Sequence, residues 1–389
     1  MSDLALSTEI LTAIREVYGV SEGVVPLHVP VFDGNEKTYV IDTIDSTFVS
    51  SVGAYVGRLE EMMCKITGAR HAIATVNGTT ALQMAMILAG VKPGDMVVTQ
   101  SLSFVATANA AAHAGAVTAF VDIDAATLGL CPKALRSFLE TQAVQSDGGT
   151  HHRDSGRRIG AVVPMHTFGN PCDLDGLLTV CEEWNIPLIE DAAESLGSLY
   201  RGRPCGTFGL MGTVSFNGNK IVTTGGGGVI LTNDSAIAKR AKHLTTTAKL
   251  PHAWRFTHDE IGYNFRMPNL NAALGCAQLE QLDRFVAFKR DLAARYHARF
   301  SDMGIEFVVE PPGTQSNYWL CAILLSDTTQ RNAVLETTNA AGVMTRPVWD
   351  PVHQLEMYRH APHGPMPVTS DIAARLVNIP SGFRPNAGF

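Results

Sequence analysis

The chain has 389 residues, of which 46% are hydrophobic and 17% are charged, and it contains no low-complexity block. This length favours one large domain with a smaller one beside it. The formal net charge of −7 argues against a general nucleic-acid or membrane-surface binder, although helix N-termini and a few arginines can still hold a phosphorylated ligand locally.

The first part of the chain predicts a helical extension followed by an α/β domain. Residues 1–22 have the pattern of an amphipathic helix. From residue 71 onward, short apolar strands alternate with helices, and strands so rich in apolar residues are typical of sheets covered on both faces. The predicted strands are His71–Val76, Met96–Thr99, Val117–Val121, Ala161–Met165 and Ile186–Ile189. This alternation predicts a mainly parallel sheet.

A polar stretch, Thr141–Arg158, interrupts this pattern and contains the adjacent residues His151 and His152. Two histidines could bind a metal ion. Adjacent side chains on a loop rarely converge on one ion, so we favour a solvated insertion without a metal site.

The last third of the chain predicts a second unit. A helical pattern runs from Asn269 to about Phe300, and mixed strands and helices follow it. We therefore divide the chain into a helical extension (1–24), a large α/β domain (25–270), and a connecting helix with a small C-terminal α/β domain (271–389).

The seven cysteines are scattered and free of C-x-x-C spacing, which predicts reduced thiols and neither a disulfide frame nor a zinc site. The first residues lack a basic region followed by an apolar core, so we expect no signal peptide. No apolar run approaches the ~20 residues of a membrane-spanning helix. We therefore expect a soluble cytoplasmic protein.

The turn Asn77-Gly78-Thr79-Thr80 joins a predicted strand to a predicted helix, Ala81–Leu88. Backbone N–H groups and hydroxyls at the positive end of a helix can bind phosphate. An ordinary helix cap is the alternative, because threonine caps helices routinely. Ser215, later in the chain, could supply a further donor.

Lys220 and Asp191 are the candidate catalytic residues. Lys220 lies between a predicted strand and the four glycines Gly225 to Gly228, whose small size lets other atoms approach closely. A lysine so placed can form a Schiff base, and Asp191, at a strand end, can pair with a cofactor's pyridine nitrogen. Asp191 could instead cap the next helix. Phe104, just past a strand end, is either a stacking platform or a core residue.

Six short motifs follow one another along the chain. They are Asn77-Gly-Thr-Thr-Ala-Leu82, Ser103-Phe-Val-Ala-Thr-Ala-Asn109, Pro164-Met-His-Thr-Phe-Gly169, Glu190-Asp-Ala-Ala-Glu-Ser195, Ser215-Phe-Asn-Gly-Asn-Lys220 and Gly262-Tyr-Asn-Phe-Arg-Met267. In this order they resemble the DegT/DnrJ/EryC1/StrS group of sugar aminotransferases, which are fold-type I pyridoxal phosphate enzymes. The resemblance runs from about Val25 to the C-terminus.

The resemblance implies roles for the matching residues. Lys220 would carry pyridoxal 5′-phosphate, Asp191 would pair with its pyridine nitrogen, and Phe104 would stack on its ring. Glu194 would contact the ring's 3-oxygen, at a position that is often glutamine in the family; a glutamate there departs from the pattern unless it is protonated or hydrogen-bonded. The residues that would bind the phosphate are Gly78, Thr79, Thr80 and Ser215, joined by Asn264 of a neighbouring subunit.

The resemblance is closest to the branch that acts on UDP-linked 4-keto-6-deoxy-N-acetylhexosamines, in routes to legionaminic-type nonulosonic acids and bacillosamine. The N-terminal extension and three segments indicate that branch: 317–320, 345–349 and 378–382. His166 matches a family histidine near the cofactor, and a buried structural role is the alternative. The other candidate substrate contacts, whose aromatic members core packing would also explain, are Tyr318, Trp319, Arg346 and His353.

The expected activity is transfer of an amino group from L-glutamate to C4 of UDP-2-acetamido-2,6-dideoxy-hexos-4-ulose, in a homodimer with shared active sites. The alternatives are a dTDP- or GDP-linked 4-keto-6-deoxyhexose as substrate, or a dehydratase of the same cofactor class. Some dehydratases of this family have a histidine in place of the lysine, so the intact Lys220 favours transamination. A non-catalytic binding protein on this fold would tolerate the loss of Lys220.

Overall fold

The computed structural model describes residues 3–384, which form alternating strands and helices followed by a smaller antiparallel unit. The helices are α1 (Asp3–Tyr18), α2 (Glu36–Asp45), α3 (Ala54–Thr67), α4 (Gly78–Leu88), α5 (Ala106–His113), α6 (Pro132–Gln142), α7 (Leu174–Glu183), α8 (Ser235–Thr245), α9 (Asn269–Leu279), α10 (Leu282–Asp302), α11 (Thr328–Ala340) and α12 (Pro367–Arg375). Short 3₁₀ turns cover Thr167–Gly169, Val352–Gln354 and Glu356–Tyr358.

The strands are short, as is usual for a sheet covered by helices. They are β1 (His71–Thr75), β2 (Met96–Gln100), β3 (Val117–Val121), β4 (Ala143–Ser146), β5 (Gly149–His152), β6 (Ile159–Val163), β7 (Ile189–Asp191), β8 (Leu199–Tyr200), β9 (Arg203–Pro204), β10 (Met211–Ser215), β11 (Gly228–Thr232), β12 (Glu306–Phe307), β13 (Thr314–Gln315), β14 (Cys321–Leu324), β15 (Arg346–Pro347) and β16 (Leu376–Ile379).

The central sheet consists of two hydrogen-bonded runs, β1-β11-β10-β7 and β6-β2-β3. Parallel bridges from Val162 to Leu188 and from Met165 to Asp191 join the two runs side by side. Among the seven strands of this sheet that the structure describes, β11 alone runs in the direction opposite to the other six. The predicted mainly parallel α/β sheet is therefore confirmed.

Successive residues of the central strands face different helical layers, which explains their apolar composition. In β1, Ile73 packs in a cluster with α4, α5 and α8, whereas Ala72 and Ala74 pack in a cluster with α3 and α9. In β2, Val97 packs in the same cluster as Ile73, whereas Met96 and Val98 pack with α6 and α7. Both faces of the sheet are thus buried, so loops at the strand ends are where polar chemistry can collect.

Two predicted elements have different limits in the structure. The strand predicted over Ile186–Ile189 becomes regular only at Ile189, because Pro187 has no N–H to donate to a neighbouring strand. The long helix predicted from Asn269 breaks between α9 and α10, where the side chains of Glu280 and Gln281 bond to Arg58 and Glu36.

The predicted solvated insertion contains the hairpin β4–β5. The ring of His151 has its Nδ1 3.0 Å from the carbonyl oxygen of Gly149, and Nδ1 of His152 lies 2.9 Å from Oγ of Ser155. The two histidines therefore have separate partners, each within the hairpin or the turn that follows it.

The smaller unit is an antiparallel sheet in the order β12-β14-β16-β15, with α11 and α12 beside it. Helix α1 is amphipathic, as predicted, and buries Ile10 and Ile14 in one cluster with Tyr296 of α10 and Val334 of α11. It therefore packs on the smaller unit, and the proposed division at residues 24 and 270 stays a prediction. Within residues 3–384, no helix combines the length and apolar character needed to cross a membrane.

Candidate active site

Strands β1, β7 and β10 run parallel, so their carboxyl ends lie at one edge of the sheet. A cavity of about 370 Å³ opens at this edge. The predicted site residues that line it are Gly78, Thr79, Phe104, Asp191, Glu194, Ser215, Lys220 and Trp319. The fold thus brings most of the predicted cofactor site together from distant parts of the chain.

Lys220 forms a buried ion pair in this cavity. Its Nζ donates to Oε1 of Glu194 at 3.1 Å, and the two side chains are 11% and 1% exposed. The same Nζ lies 4.0 Å from the ring centroid of Trp319, within the range of a cation–π contact. Water screens this pair weakly, so the proton positions on the two groups depend on each other.

The carboxyl group of Glu194 has a second hydrogen bond, because its Oε2 accepts the backbone N–H of Phe168 at 2.9 Å. Burial raises the pKa of Glu194, and the ammonium of Lys220 and the N–H of Phe168 oppose the rise. Glu194 is therefore hydrogen-bonded, which is one of the two conditions under which a glutamate suits this position. The affinity of its carboxyl group for a proton increases if the charge on Lys220 is removed.

Asp191 is buried at the end of β7 and has two hydrogen-bond donors. Its Oδ2 accepts the hydroxyl of Thr107 at 2.7 Å, and its Oδ1 accepts the backbone N–H of Ala193 at 3.1 Å. Burial raises the pKa of Asp191, and these two donors oppose the rise. The carboxylate is thus held in one orientation in a site where a nearby cation would be strongly bound.

The turn before α4 packs closely against the end of β10. A Cβ added to Gly78 would lie 2.8 Å from Cβ of Ser215, so any larger residue would fill this space. The side chain of Asn77 caps the helix by accepting the N–H of Thr80 at 2.8 Å. The N–H groups of Gly78 and Thr79, in the first turn, have no intrahelical acceptor and lie at the cavity beside Ser215.

Thr80 differs from its two neighbours. Its N–H and its hydroxyl both bond to Asn77, the hydroxyl at 2.9 Å from the carbonyl oxygen. In the part of the chain that the structure describes, Thr80 does not belong to the cavity lining. Its observed contacts are those of a helix cap, which was the alternative reading of this turn.

His166 lies beside Asp191 but does not face the cavity that residues 3–384 form. Its ring is fully buried, with Nε2 3.1 Å from Oε2 of Glu190 and Nδ1 accepting the backbone N–H of Cys172 at 3.1 Å. Its own backbone N–H donates to the carbonyl oxygen of Asp191 at 3.2 Å. These contacts are those of the buried structural role, and they steady the strand that bears Asp191.

Two further candidate substrate contacts lie in the smaller unit. The hydroxyl of Tyr318 accepts the backbone N–H of Glu310 at 3.1 Å, and the ring is buried in the core. Arg346 is exposed on β15 and donates to the side chain of Asn339 at 2.8 Å. Within the described chain, neither side chain lines the cavity.

His353 and Asn264 also lie outside the cavity formed by the described residues. Nδ1 of His353 is 2.6 Å from Oγ of Ser101, and burial, with repulsion from His363, lowers the pKa of its ring. Asn264 is exposed, and its side-chain oxygen accepts Nε–H of Arg266 at 2.9 Å. An exposed Asn264 remains available to a second subunit, which is the role predicted for it.

Some lining residues were not among the predicted site residues. Thr107 lies in the motif at 103–109 and Trp349 in segment 345–349, yet their contacts with the site depend on tertiary packing. The ring of Trp349 lies 6.2 Å from that of Phe104 and 5.3 Å from that of Phe168, measured between centroids. The remaining unpredicted residues with side chains at the cavity are Asn77, Leu82, Ala106, Met165, Ala193, Asn217 and Asn219.

Residues 30–384 match the model of the DegT/DnrJ/EryC1/StrS aminotransferase family. Among curated relatives, the GDP-perosamine synthase of Caulobacter vibrioides is 34% identical, over 90% of this chain and 91% of that protein. A relative from Bacillus subtilis described as the putative pyridoxal phosphate-dependent aminotransferase EpsN is 34% identical, over 91% of this chain and 89% of that protein.

Solved structures agree with these sequence matches. The aminotransferase TlmJ from Streptoalloteichus hindustanus superposes with a TM-score of 0.83 and is 29% identical, over 92% of this chain and 94% of that one. The similarity therefore extends over both the large α/β unit and the smaller antiparallel one.

The hydrogen bond from Thr107 to Asp191 should stabilise the protein in a pH-dependent way. Replacing Thr107 with valine removes the donor, so the raised pKa of Asp191 should rise further. A raised pKa means that the folded state binds the proton more tightly than the unfolded state, and stability is lost as pH rises towards that pKa. We expect Thr107→Val to lower the free energy of unfolding by about 1.5–3 kcal/mol at pH 7, and by less at acidic pH.

Urea unfolding of the cofactor-free protein at several pH values measures this effect. Thr99→Val is the matched control, because the hydroxyl of Thr99 bonds to the neutral carbonyl oxygen of Val163 in the same sheet. Its destabilisation should not change with pH. A pH-independent loss in Thr107→Val as well would show that Thr107 does not stabilise the charged form of Asp191.

Proposed function

The chain belongs to the DegT/DnrJ/EryC1/StrS aminotransferase family, and from that premise we propose that it transfers an amino group from L-glutamate to C4 of a nucleotide-linked 4-keto-6-deoxy sugar. The observation that carries this proposal is the convergence of Lys220, Asp191 and the turn at Gly78 on one cavity. Aminotransferases of this family depend on pyridoxal phosphate and its pyridoxamine form, which confirms the predicted class of cofactor.

The cavity fits this cofactor in its donor set and its packing. The N–H groups of Gly78 and Thr79, with the hydroxyl of Ser215, would hold the phosphate, because the glycine leaves that space open. Asp191 would accept a hydrogen bond from the protonated pyridine nitrogen, and the amine of Lys220 would bond to the aldehyde carbon. When bound, the cofactor supplies an electron-withdrawing ring that stabilises negative charge on a carbon that has lost a proton.

Lys220 would move protons in both halves of the reaction. Its amine takes the proton from Cα of L-glutamate and later delivers one to C4 of the sugar. The amine must be neutral to act as a base, so its own proton needs an acceptor. Oε1 of Glu194 lies 3.1 Å away, and burial raises the pKa of this carboxyl, so Glu194 is placed to hold that proton.

Aromatic rings would keep water away from this proton transfer. Trp319 is 4% exposed and covers Nζ of Lys220, and its Nε1–H donates to the carbonyl oxygen of Asn219 at 2.7 Å. Trp349 and the half-exposed Phe104 line the same cavity. Excluding water strengthens each charge interaction inside the site.

For the substrate we propose UDP-2-acetamido-2,6-dideoxy-hexos-4-ulose. The support is the likeness of the N-terminal extension and of segments 317–320, 345–349 and 378–382 to the branch that uses such sugars, and Trp319 and Trp349 of these segments line the cavity. A GDP-linked 4-keto sugar is the second candidate, because the Caulobacter vibrioides relative is a GDP-perosamine synthase.

We propose a homodimer with shared active sites as the working unit. Several large apolar side chains are exposed in the segment of the chain that precedes Asn264, among them Trp254, Phe256 and Ile261 at 77–88% exposure. Apolar surface of this kind is typical of an interface between subunits.

All seven cysteines are free thiols, which supports the proposed cytoplasmic location.

Replacing Lys220 with alanine should separate binding from catalysis. The variant keeps the phosphate turn and Asp191, so it should still bind pyridoxamine phosphate in an equilibrium titration. Amino transfer should fall by about 10²- to 10⁴-fold, because the group that moves the proton is gone. Lys239→Ala, at an exposed position of α8, is the control and should retain full activity. Retained turnover in Lys220→Ala would refute the proposed role of Lys220.

Shared sites can be tested by mixing two defective subunits. Lys220→Ala and Asn264→Ala proteins should each be inactive or weak. In a heterodimer, one of the two sites combines the wild-type residues of both chains, so activity should return to roughly half of the wild-type value or less. If purified heterodimers show no recovery, Asn264 does not act in the site of its neighbour.

The substrate proposal is tested by measuring kcat/KM for a panel of nucleotide 4-keto sugars with L-glutamate. A site that hydrogen-bonds a 2-acetamido group leaves polar groups unpaired when a 2-hydroxyl sugar binds, at a cost of ~1–3 kcal/mol per group. We therefore expect about a ten- to hundredfold preference for the UDP-linked acetamido sugar. Equal or faster turnover of a GDP- or dTDP-linked sugar would overturn this substrate and leave the amino transfer in place.

A further inference from the structure

We infer that Lys289, on α10 and outside the cavity, is a positioning residue that holds Trp319 against Lys220. Lys289 is 1% exposed, and it is not among the described residues that line the cavity. This inference rests on the proposed role of Lys220. Lys289 takes no direct part in the proposed reaction.

Nζ of Lys289 donates to three main-chain carbonyl oxygens. The acceptors are those of Ser381 at 2.5 Å, Trp319 at 3.1 Å and Tyr318 at 3.5 Å. An ammonium group has three protons to donate, so its hydrogen-bonding capacity matches this set. Two segments that are distant in sequence, 317–320 and 378–382, therefore meet at a single buried amine.

The turn that Lys289 holds has an unusual backbone. Tyr318 has a φ of 45°, in the left-handed region that residues with side chains seldom adopt. Such a conformation persists only where the surroundings hold it. On the other side of this residue, its N–H donates to Oγ of Ser316 at 3.0 Å. Without Lys289, the carbonyl side of the turn loses its donor and the turn can relax.

Trp319 transmits the position of this turn to the cavity. Its indole N–H bonds to the carbonyl oxygen of Asn219, the residue before Lys220, and its ring covers Nζ of Lys220. A shift in the main chain of Trp319 therefore changes both the cover over the amine and the backbone beside it. Displacements of about 1 Å in a reacting group can cost 10²-fold in rate.

Burying the charged amine of Lys289 costs free energy. Burial lowers its pKa to about 7, and the thiol of Cys321 on β14 opposes this fall. His28, in the segment before α2, faces the same region; burial and repulsion from Lys289 and Lys220 lower the pKa of its ring well below the usual value, so it is neutral. None of the ion pairs in the described chain includes Lys289. A methionine would fill this volume without burying a charge, which indicates that the fold uses the three donors.

The test compares Lys289→Met with the wild-type protein in two measurements. In the cofactor-free protein, the rate at which trinitrobenzenesulfonate labels Lys220, followed by peptide mass mapping, should rise about tenfold because Trp319 no longer covers the amine. In the complete enzyme, kcat should fall about ten- to hundredfold while KM for both substrates stays within about twofold, as expected for a misplaced proton-transfer group.

Phe300→Leu is the control, since it removes volume from a buried position on the same helix and leaves the donors of Lys289 in place. It should leave the labelling rate and kcat unchanged. If Lys289→Met does not fold, Lys289→Gln, which keeps two donors on a shorter side chain, is measured in the same way and should give intermediate effects.

An unchanged labelling rate in a folded Lys289 variant would overturn the inference. The labelling experiment uses no substrate, so its outcome is independent of which sugar or reaction the enzyme serves. A failure of the proposed function would appear instead as inactive wild-type protein with an intact labelling difference.

Discussion

The pair formed by Lys220 and Glu194 is the interaction on which the site depends. Moving an amine and a carboxylate out of water costs several kcal/mol per group, and their attraction offsets this cost only with good geometry and additional hydrogen bonds. Phe168 supplies one such bond to Glu194, and the ring of Trp319 supplies a favourable surface for the amine of Lys220. The surrounding structure holds Lys220 and Glu194 in place.

The fold meets this requirement by collecting polar groups at one edge of an otherwise apolar sheet. Asp191 ends one strand and Ser215 ends its parallel neighbour, so both reach the cavity without interrupting the core. Behind them, the buried carboxylate of Glu190 accepts the N–H groups of Gly206, Phe208 and Gly209 and so fixes the loop that follows. The buried carboxylates of Asp191 and Glu190 are both hydrogen-bonded, which keeps the free-energy cost of burying them low and their positions defined.

The parts of this site that the sequence predicts are those set by local pattern. A glycine–threonine turn between a strand and a helix, and a carboxylate at a strand end, can be identified without tertiary information, and the turn at Gly78 and Asp191 do lie at the cavity. The contact of Thr107 with Asp191 joins residues 84 positions apart, so no local pattern indicates it. His166 and His353 were predicted to contact the substrate, but neither lines the cavity of the described chain. The sequence does not reveal which way a histidine ring on a loop points, and these two rings contact other buried or loop residues.

The central claim is that Lys220, and no other lysine, binds the cofactor. Treating the protein loaded with pyridoxal phosphate with borohydride and mapping the digested peptides by mass tests it directly. We expect the added mass on the peptide containing Lys220 and none on the peptide containing Lys289, whose amine is buried outside the cavity and donates to three carbonyl oxygens. Label on Lys289 or on a surface lysine, with Lys220 unmodified, would show that Lys220 does not bind the cofactor.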